Sequence, residues 1–439
     1  MFSSDHQKRY SLAFTVFIVA IILALIVNLV NLNKERFQKS DVVRLYFADN
    51  ISAAHLQIIV QFNRLYAGRI EVIPIDLPFS KFSTNERKEL IARSLRSRSS
   101  RIDIFAVDQI WVPRFAKWGE PLAKYFMQTN LSKILPPALA TCYYDNSLVG
   151  IPLYIDLGVM YYRKDLIEPT RDSLLIRKLK ASISWEELVD YGLTHPERRP
   201  FYLFQGDGYE GLVCNYLEIL GAMGGRIYQD GELAINTELG RKSAQFMSDL
   251  IHRYHLAPPE VSSYNERESY YHALTRDALF FRGWSSFLKD MPIMTRDSVK
   301  VRQLEMAYLP RFGDHPPVTV FGGWNLMISR YSTHKAEAYK FLEYILSEEV
   351  QRTLFETSGY LPILKTLYDD PQIIARNPYI TYVKQLMNAG IHRPMLINYT
   401  KISDILSFYL NQLLKNQISA EEALKLIDNA IQTRNIFLK

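Results

Sequence analysis

Aromatic and carboxylate side chains recur in this sequence where predicted strands and helices meet loops. Carboxylates accept strong hydrogen bonds from hydroxyl groups, and aromatic rings pack against flat apolar C–H faces. Together they suit the reversible binding of a hydroxyl-rich small molecule. Each residue alone could instead be structural, so the prediction depends on their recurrence at predicted turns. The set is Asp49, Asp108, Tyr154, Asp156, Tyr209, Glu210, Trp284, Trp324 and Tyr360.

Three glycines, Gly206, Gly208 and Gly211, have the G-x-G-x-x-G spacing of a dinucleotide-binding loop between a predicted strand and a predicted helix. Tyr209 and Glu210 place bulk and negative charge where a pyrophosphate needs bare backbone. The motif also lies deep in the chain and not in a first strand–helix unit. We therefore expect no cofactor here.

Motifs for other kinds of catalysis are missing: the sequence has no G-x-S-x-G, no P-loop and no H-E-x-x-H. His252 and His255 could share a helix face, but no third ligand accompanies them, so no metal site is predicted. The adjacent acids Glu186–Glu187 and Glu348–Glu349 diverge along a helix and suit its first turn. A glycosidase needs two acids that meet in space. Nothing in the sequence selects such a pair, so that alternative stays open.

The composition is that of a large globular protein. The chain has 439 residues, 48% hydrophobic and 22% charged, which predicts two packed units or one large two-lobed domain. Its two cysteines, Cys142 and Cys214, exclude a disulfide framework and a zinc site. They could form one bridge, but we favour two buried thiols.

The charge pattern excludes nucleic acid as a partner. The net charge is +6, and the one dense basic stretch is Arg87–Arg101. Leu90, Ile91 and Leu95 lie at helical spacing within it, which favours a solvated helix face. A nucleic-acid groove would need interleaved stacking aromatics, and this stretch has none.

Periodicity predicts a β-α-β-α-β unit, and therefore a parallel sheet, after residue 41. Its strands are Val42–Ala48, Ile70–Ile75 and Ile102–Val107, with one helix that starts after Ser52 and another at Thr84–Ser97. In such sheets ligands bind beyond the carboxyl ends of the strands. Asp49, Asn50 and Asp108 follow two of those ends and Trp111 comes shortly after, so we expect these residues at one rim.

Later segments alternate again, and no low-complexity linker separates them, which predicts interleaved lobes. Ser184 and Glu187 have capping-box spacing. The other predicted elements are the strand Phe201–Gln205, the helix Leu212–Leu220, the hairpin Arg226–Asn236 and the helices Thr333–Leu346, Ser347–Glu356, Ile402–Lys415 and Ser419–Gln432.

Leu12–Val30 is apolar except for two residues and is long enough to span a bilayer as a helix. Lys8 and Arg9 precede it, and no cleavage site or cysteine follows it closely. We predict that residues 1–40 form an uncleaved signal-anchor. The remainder of the chain would then face the periplasm or the cell exterior from the plasma (inner) membrane.

The sequence resembles the extracellular solute-binding proteins of family 1, the sugar-binding components of ABC importers, especially those of the maltose and trehalose type. The stretch from GGWNL into a helix, followed by GYLP, is specific, and the likeness covers nearly everything after residue 41 in family order. The matching stretches are IDIFAVDQIWVPRFAKWG (102–119), GIPLYIDLGVMYYRKDL (150–166), FQGDGYEGLVCNYLEILGAMGG (204–225), FRGW (281–284), FGGWNLMISRYSTHKAEAYKFLEYILSEE (321–349), GYLPILKTLYDD (359–370) and RPMLINYTKISDIL (393–406).

The resemblance implies an α/β fold with two interleaved lobes, the type II periplasmic-binding-protein fold, which closes at a hinge around its ligand. One lobe would hold residues 41–150 and 318–365, the other 151–317 and 366–439. The cleft residues it implies are Asp49, Asp108, Tyr154, Asp156, Glu210, Trp284, Gly323, Trp324 and Tyr360.

The function implied is capture of a carbohydrate, with no chemistry done on it, and delivery to permease subunits driven by a cytoplasmic ATPase. Two alternatives remain: a receptor that reports to a membrane sensor, and an anchored carbohydrate-active enzyme. The sequence does not name the sugar.

Overall fold

The computed structural model describes residues 18–27, 42–78, 81–82, 84–126, 131–167, 173–197, 200–229, 232–289, 291 and 296–433. The strands are β1 (Val43–Asp49), β2 (Ile70–Asp76), β3 (Ile104–Asp108), β4 (Tyr143–Tyr144), β5 (Ser147–Leu148), β6 (Ile151–Arg163), β7 (Tyr202–Leu203), β8 (Tyr228–Gln229), β9 (Glu232–Leu233), β10 (Phe280–Trp284), β11 (Leu304–Ala307), β12 (Thr319–Ile328) and β13 (Gly390–Ile391).

Helices fill the intervals between these strands. They are α1 (Ala53–Leu65), α2 (Thr84–Arg96), α3 (Val112–Phe115), α4 (Pro136–Ala140), α5 (Lys164–Ile167), α6 (Ser173–Ala181), α7 (Trp185–Thr194), α8 (Glu210–Ala222), α9 (Glu238–His252), α10 (Glu266–Thr275), α11 (Ser298–Val301), α12 (Lys335–Ile345), α13 (Glu348–Ser358), α14 (Pro371–Arg376), α15 (Tyr379–Leu386), α16 (Tyr399–Leu414) and α17 (Ala420–Thr433).

The first unit is the predicted parallel α/β layer. β1 pairs in parallel with β2 on one side and with β3 on the other, and α1 and α2 connect them. The Ser52 hydroxyl accepts a hydrogen bond from the backbone N–H of His55, so the predicted N-cap of α1 is confirmed. Asp49 and Asp108 end β1 and β3 at the same edge of the sheet, where open α/β sheets bind ligands.

Two long strands carry the sheet from one half of the molecule into the other. The strand order is β2-β1-β3-β12-β6-β10-β7, with β11 beside β6 and β13 beside β12. In β6, residues 151–157 pair with β12, whereas residues 158–163 pair with β10 and β11. In β12, residues 324–328 pair with β3, whereas residues 319–320 pair with β13. We call the β1–β3 side the first half and the β7–β10–β11 side the second half.

The predicted lobe boundaries at 150/151 and 317/318 fall just before these shared strands. Each strand changes partners a few residues after it begins. The exact division of the chain between the lobes stays a prediction.

The second half is built on α8, which α9, α16 and β12 contact. Most residues of α8 are therefore buried, including both Cys214 and Glu218. The hairpin prediction is confirmed by β8 and β9, which pair antiparallel. The capping box of Ser184 and Glu187 is present at the start of α7. The four helices predicted for the last quarter are α12, α13, α16 and α17, with ends shifted by up to three residues.

The interpretation of Arg87–Arg101 as a solvated helix face was wrong at its amino-terminal end. Within α2, Arg87 and Lys88 are only 0% and 3% exposed. Both lie three or four residues before Ile91 and therefore share its buried face. The remaining arginines of the stretch are partly or fully exposed.

Cys142 and Cys214 are free and buried, so the interpretation as two buried thiols is confirmed. Of the predicted anchor Leu12–Val30, the structure describes only 18–27, which are helical with exposed side chains. The rest of the predicted segment lies outside the described residues. Within the described part of the chain, no helix has both the length and the apolar character needed to cross a membrane.

Candidate ligand-binding site

The register of β12 brings predicted site residues together. Trp324 pairs with Asp108 of β3 on one side and with Tyr154 of β6 on the other. An irregularity in pairing follows directly, between Trp324 and Asn325, and such bulges re-aim the side chains beside them. Gly323 adopts φ +130°, and a Cβ there would lie 2.5 Å from the carbonyl oxygen of Tyr154. Only glycine fits this crossing of the strands without strain.

Asp49 is held by two cationic or polar neighbours. Arg87 donates from Nη2 to its Oδ1 at 2.9 Å, and the Nε2 of His55 lies 3.3 Å from its Oδ2. All three residues are almost fully buried. The Arg87 guanidinium also lies 4.4 Å from the ring centre of Trp324, a cation–π contact. Burial lowers the pKa of Arg87, against the raising effect of Asp49.

The aromatic side chains of the site form two packed groups. Tyr154 and Tyr360 stack in parallel with ring centres 4.2 Å apart. Trp324 meets Trp111 edge to face at 5.3 Å. The first group adjoins Asp49 through His55, whose ring centre lies 5.7 Å from that of Tyr360. The second adjoins it through Arg87, which contacts Trp324. Such arrangements present flat apolar faces with polar tips at their rims.

Arg393 joins the two halves at this site. Its Nη2 donates to Asp108 at 2.9 Å, and its Nη1 donates to Glu210 at 2.9 Å. Glu210, the first residue of α8, also accepts from the hydroxyl groups of Tyr399 and Ser403. Burial raises the pKa of Glu210, against the lowering effect of Arg393. Burial lowers the pKa of Arg393, but Asp108 and Glu210 outweigh it and raise that pKa well above its usual value.

Trp284 ends β10 in the second half and is partly exposed. The Arg282 guanidinium lies 4.0 Å from its ring centre, and its indole N–H donates to Glu266 at 3.3 Å. A Cβ at Gly322 would lie 2.8 Å from the ring, so the ring packs directly on the backbone of β12. This places Trp284 one residue along β12 from Gly323.

Asp156 lies at the crossing but serves the fold. Its carboxylate accepts hydrogen bonds from the Ser285 hydroxyl at 2.7 Å, from the backbone N–H of Ser286 at 3.1 Å and of Leu157 at 2.9 Å, and from the Ser286 hydroxyl. It is 5% exposed, and burial raises its pKa. The carboxylate therefore ties β6 to the turn after β10, and its acceptor positions are taken.

The glycine motif is packed against the protein's own backbone. A Cβ at Gly206 would lie 2.5 Å from the carbonyl oxygen of Val261, and Asn411 donates to the Gly206 carbonyl oxygen at 2.8 Å. Tyr209 precedes α8, and the burial of its hydroxyl raises its pKa well above the usual value. Gly206 is therefore packed against backbone, whereas Gly208 is exposed. The absence of a cofactor stays a prediction.

The predicted residues thus form one neighbourhood, but they pack against one another and line neither of two cavities found elsewhere. Sequence reasoning placed Trp111 at the rim but did not single out Arg87, His55 or Arg393 as site residues. Arg87 could have been found, because it lies four residues before the apolar Ile91. No periodic signal marks Arg393. Among the described residues, no cluster of His, Cys, Asp and Glu could hold a metal ion.

Comparison with known proteins identifies the family. The model of the bacterial extracellular solute-binding proteins matches residues 49–352. The chain belongs to this family. A protein of Deinococcus radiodurans, named a probable ABC transporter-binding protein, is 24% identical over 365 residues, which cover 79% of this chain and 83% of that protein. The arabinooligosaccharide-binding protein of Halalkalibacterium halodurans is 20% identical over 339 residues, or 74% and 71% of the two chains.

Solved structures support the same fold. The maltose-bound MalE3 of T. maritima superposes with a TM-score of 0.80 at 26% identity, over 90% of this chain and 100% of that one. A solute-binding protein from Thermotoga lettingae bound to α-D-tagatose gives 0.77 at 22% identity, over 90% and 99%. The predicted two-lobed α/β fold of the periplasmic-binding-protein type is confirmed.

Proposed function

We propose that this chain is a membrane-tethered receptor that captures a sugar, from a monosaccharide to an oligosaccharide, between its two halves. It delivers the sugar to the permease subunits of an ABC importer driven by a cytoplasmic ATPase. It does no chemistry on the sugar. The observation that carries the proposal is the convergence of aromatic rings and carboxylates from both halves on the strands β6 and β12, which the halves share.

The side chains at this crossing suit a sugar in chemistry. Asp108 and Glu210 would accept hydrogen bonds from the sugar's hydroxyl groups, while Trp324 and Trp284 would cover apolar ring faces. The Nε of Arg393 is buried without a hydrogen-bond partner among the described residues, which leaves a donor for a ligand oxygen. The proposed ligand-binding residues are therefore Asp49, Asp108, Tyr154, Glu210, Trp284, Gly323, Trp324, Tyr360 and Arg393. In this proposal Asp156, predicted from the sequence as a ligand-binding residue, instead holds β6 to the turn after β10 through Ser285 and Ser286.

The tether is the apolar segment Leu12–Val30. Its described part, 18–27, is helical and exposes Ile18, Leu23 and Val27 by 41–56%, as a lipid-facing helix would. The domain would face the periplasm or the cell exterior from a single-pass anchor in the plasma membrane. Extraction of cell membranes with sodium carbonate tests this. Release of the full chain into the supernatant would refute the tether.

The test of sugar capture is a thermal-shift screen on the full chain in detergent, with maltose, maltotriose, arabinooligosaccharides and tagatose as probes. A ligand at about 100 times its Kd adds about 2.7 kcal/mol to the stability of the folded state. We expect at least one probe to raise the melting temperature and calorimetry to show saturable binding. Mass analysis of the same mixture should return the sugar intact.

The variant Trp324→Ala should show a clearly smaller thermal shift, whereas Tyr271→Ala, at an exposed position of α10, should keep the wild-type shift. Hydrolysis products at enzyme-like rates would favour the carbohydrate-active enzyme instead. Equal thermal shifts in both variants would remove the site from the proposal.

A further inference from the structure

Arg393 contacts both halves of the molecule. It follows β13, which pairs with the second-half end of β12, and it precedes α16, which packs on α8. Its bond to Glu210 therefore lies within the second half, and its bond to Asp108 crosses to the first. The Arg393 side chain is 2% exposed, so water screens neither contact well.

The first turns of α16 continue the same contact across the halves. Thr400 accepts a hydrogen bond from Arg114 of α3 at 3.4 Å. Asp404 accepts one from Asn85 of α2 at 3.4 Å, and its other oxygen lies 3.9 Å from the Nζ of Lys88. We call these contacts, together with Arg393–Asp108, the ionic seam.

The contacts of the seam differ in burial and therefore in how strongly each one stabilises the association of the two halves. The Asp404 side chain is 54% exposed, and ion pairs at such positions contribute little. The pair of Arg393 and Asp108 is buried, and Glu210, Tyr399 and Ser403 fix the Arg393 end in place. Removal of one partner from a buried pair leaves the other charge uncompensated, which is costly. Arg393 therefore dominates the seam.

We propose that Arg393 and the first turns of α16 form an ionic latch that holds the two halves together before a ligand arrives. The proposal depends on the proposed function only in that the halves must separate to admit a ligand. Because the open form is then a minority of the free protein, the apparent affinity is reduced by the open fraction. The strength of the seam therefore sets the fraction of open receptor and, through it, the apparent affinity for the ligand.

The test measures the separation of the halves without ligand. Spin labels at Arg93→Cys on α2 and Gln245→Cys on α9, both exposed positions, report the distance by pulsed electron resonance on the full chain. The native thiols Cys142 and Cys214 are buried and stay unlabelled. We expect the wild-type halves to give one short distance at low salt. Arg393→Gln should increase the longer-distance population roughly tenfold or more.

Two further variants make the outcome decisive. Asp404→Asn, at an exposed position, should open the seam less than Arg393→Gln does. Arg376→Gln removes an exposed ion pair with Glu356 away from the seam and should change nothing. Salt near 1 M should change the wild-type distance little, because salt screens a buried pair only weakly and Arg393 is 2% exposed.

A distance distribution that is the same in wild type and Arg393→Gln would overturn the latch. If Arg393→Gln does not fold, an unchanged distribution in Asp108→Asn, which removes the other charge of the same pair, has the same meaning. Since no ligand is added, these results are independent of the sugar screen. A latch that fails leaves sugar capture standing, and a failed screen leaves the latch standing.

Discussion

Substitution of Gly323 by alanine should damage the crossing of the two halves more than alanine at any glycine in open space. The residue has φ +130°, where an L-amino acid is strained by about 1–3 kcal/mol. The new Cβ would also lie 2.5 Å from the Tyr154 carbonyl oxygen and 3.0 Å from the Ile155 Cα. Both obstacles are backbone, so relief requires β12 to move away from β6. Such overpacking costs about 1–3 kcal/mol more.

The expected loss is therefore about 2–6 kcal/mol, a large part of the stability of an ordinary domain. Gly68→Ala is the matched control, because Gly68 also has positive φ, +76°, but nothing lies within 4 Å of its Cβ position. Its cost should be strain alone, about 1–2 kcal/mol.

Urea unfolding of both variants, followed by tryptophan fluorescence, measures the difference. The Gly323→Ala midpoint should fall clearly below that of Gly68→Ala, with weaker binding of any sugar found in the screen, since Tyr154 and Trp324 are displaced together. Equal midpoints for the two variants would refute the reasoning from the backbone contact.

Three other changes test separate parts of the site and core. Trp324→Ala should weaken sugar binding roughly tenfold or more and lower stability by about 3–5 kcal/mol; calorimetry and urea unfolding measure the two, and full affinity would exclude the ring from the site. Asp156→Asn should change the pH dependence of stability. Because burial raises the Asp156 pKa above 3.8, its contribution is present at low pH and lost as pH rises through the raised value. The urea midpoint of Asp156→Asn should therefore rise relative to the wild-type midpoint as the pH increases from about 4 to about 7. A constant difference between the two midpoints over this range would contradict the reasoning. Burial raises the pKa of Cys142 and Cys214, so neither should react with a thiol reagent before urea unfolds the chain. Rapid reaction of either cysteine in the folded chain would contradict this.

Much of the fold could be predicted from the sequence because its signals are local. The parallel unit from β1 to β3 follows from alternating strand and helix patterns with short connections. Caps at Ser52 and Ser184 follow from residues three positions apart. Element ends were displaced by a few residues, as they depend on hydrogen bonds that a pattern does not contain.

The site could be predicted only in outline. Asp108 and Trp324 do meet, because β12 inserts beside β3, but no local pattern reveals that insertion. The partners of each carboxylate are equally hidden. Asp156 has its oxygens taken by two serines about 130 residues away, and Arg393 crosses 285 positions to Asp108. Such pairings depend on tertiary contacts and not on spacing along the chain.

The position of β12 has a consequence for biosynthesis. The first-half sheet needs this strand between β3 and β6, yet Thr319 leaves the ribosome more than two hundred residues after Asp108. Until then β3 keeps an unpaired edge, the kind of surface that invites aggregation. Completion of the first-half sheet must therefore wait for a pairing between segments far apart in the sequence, and such non-local pairings form slowly.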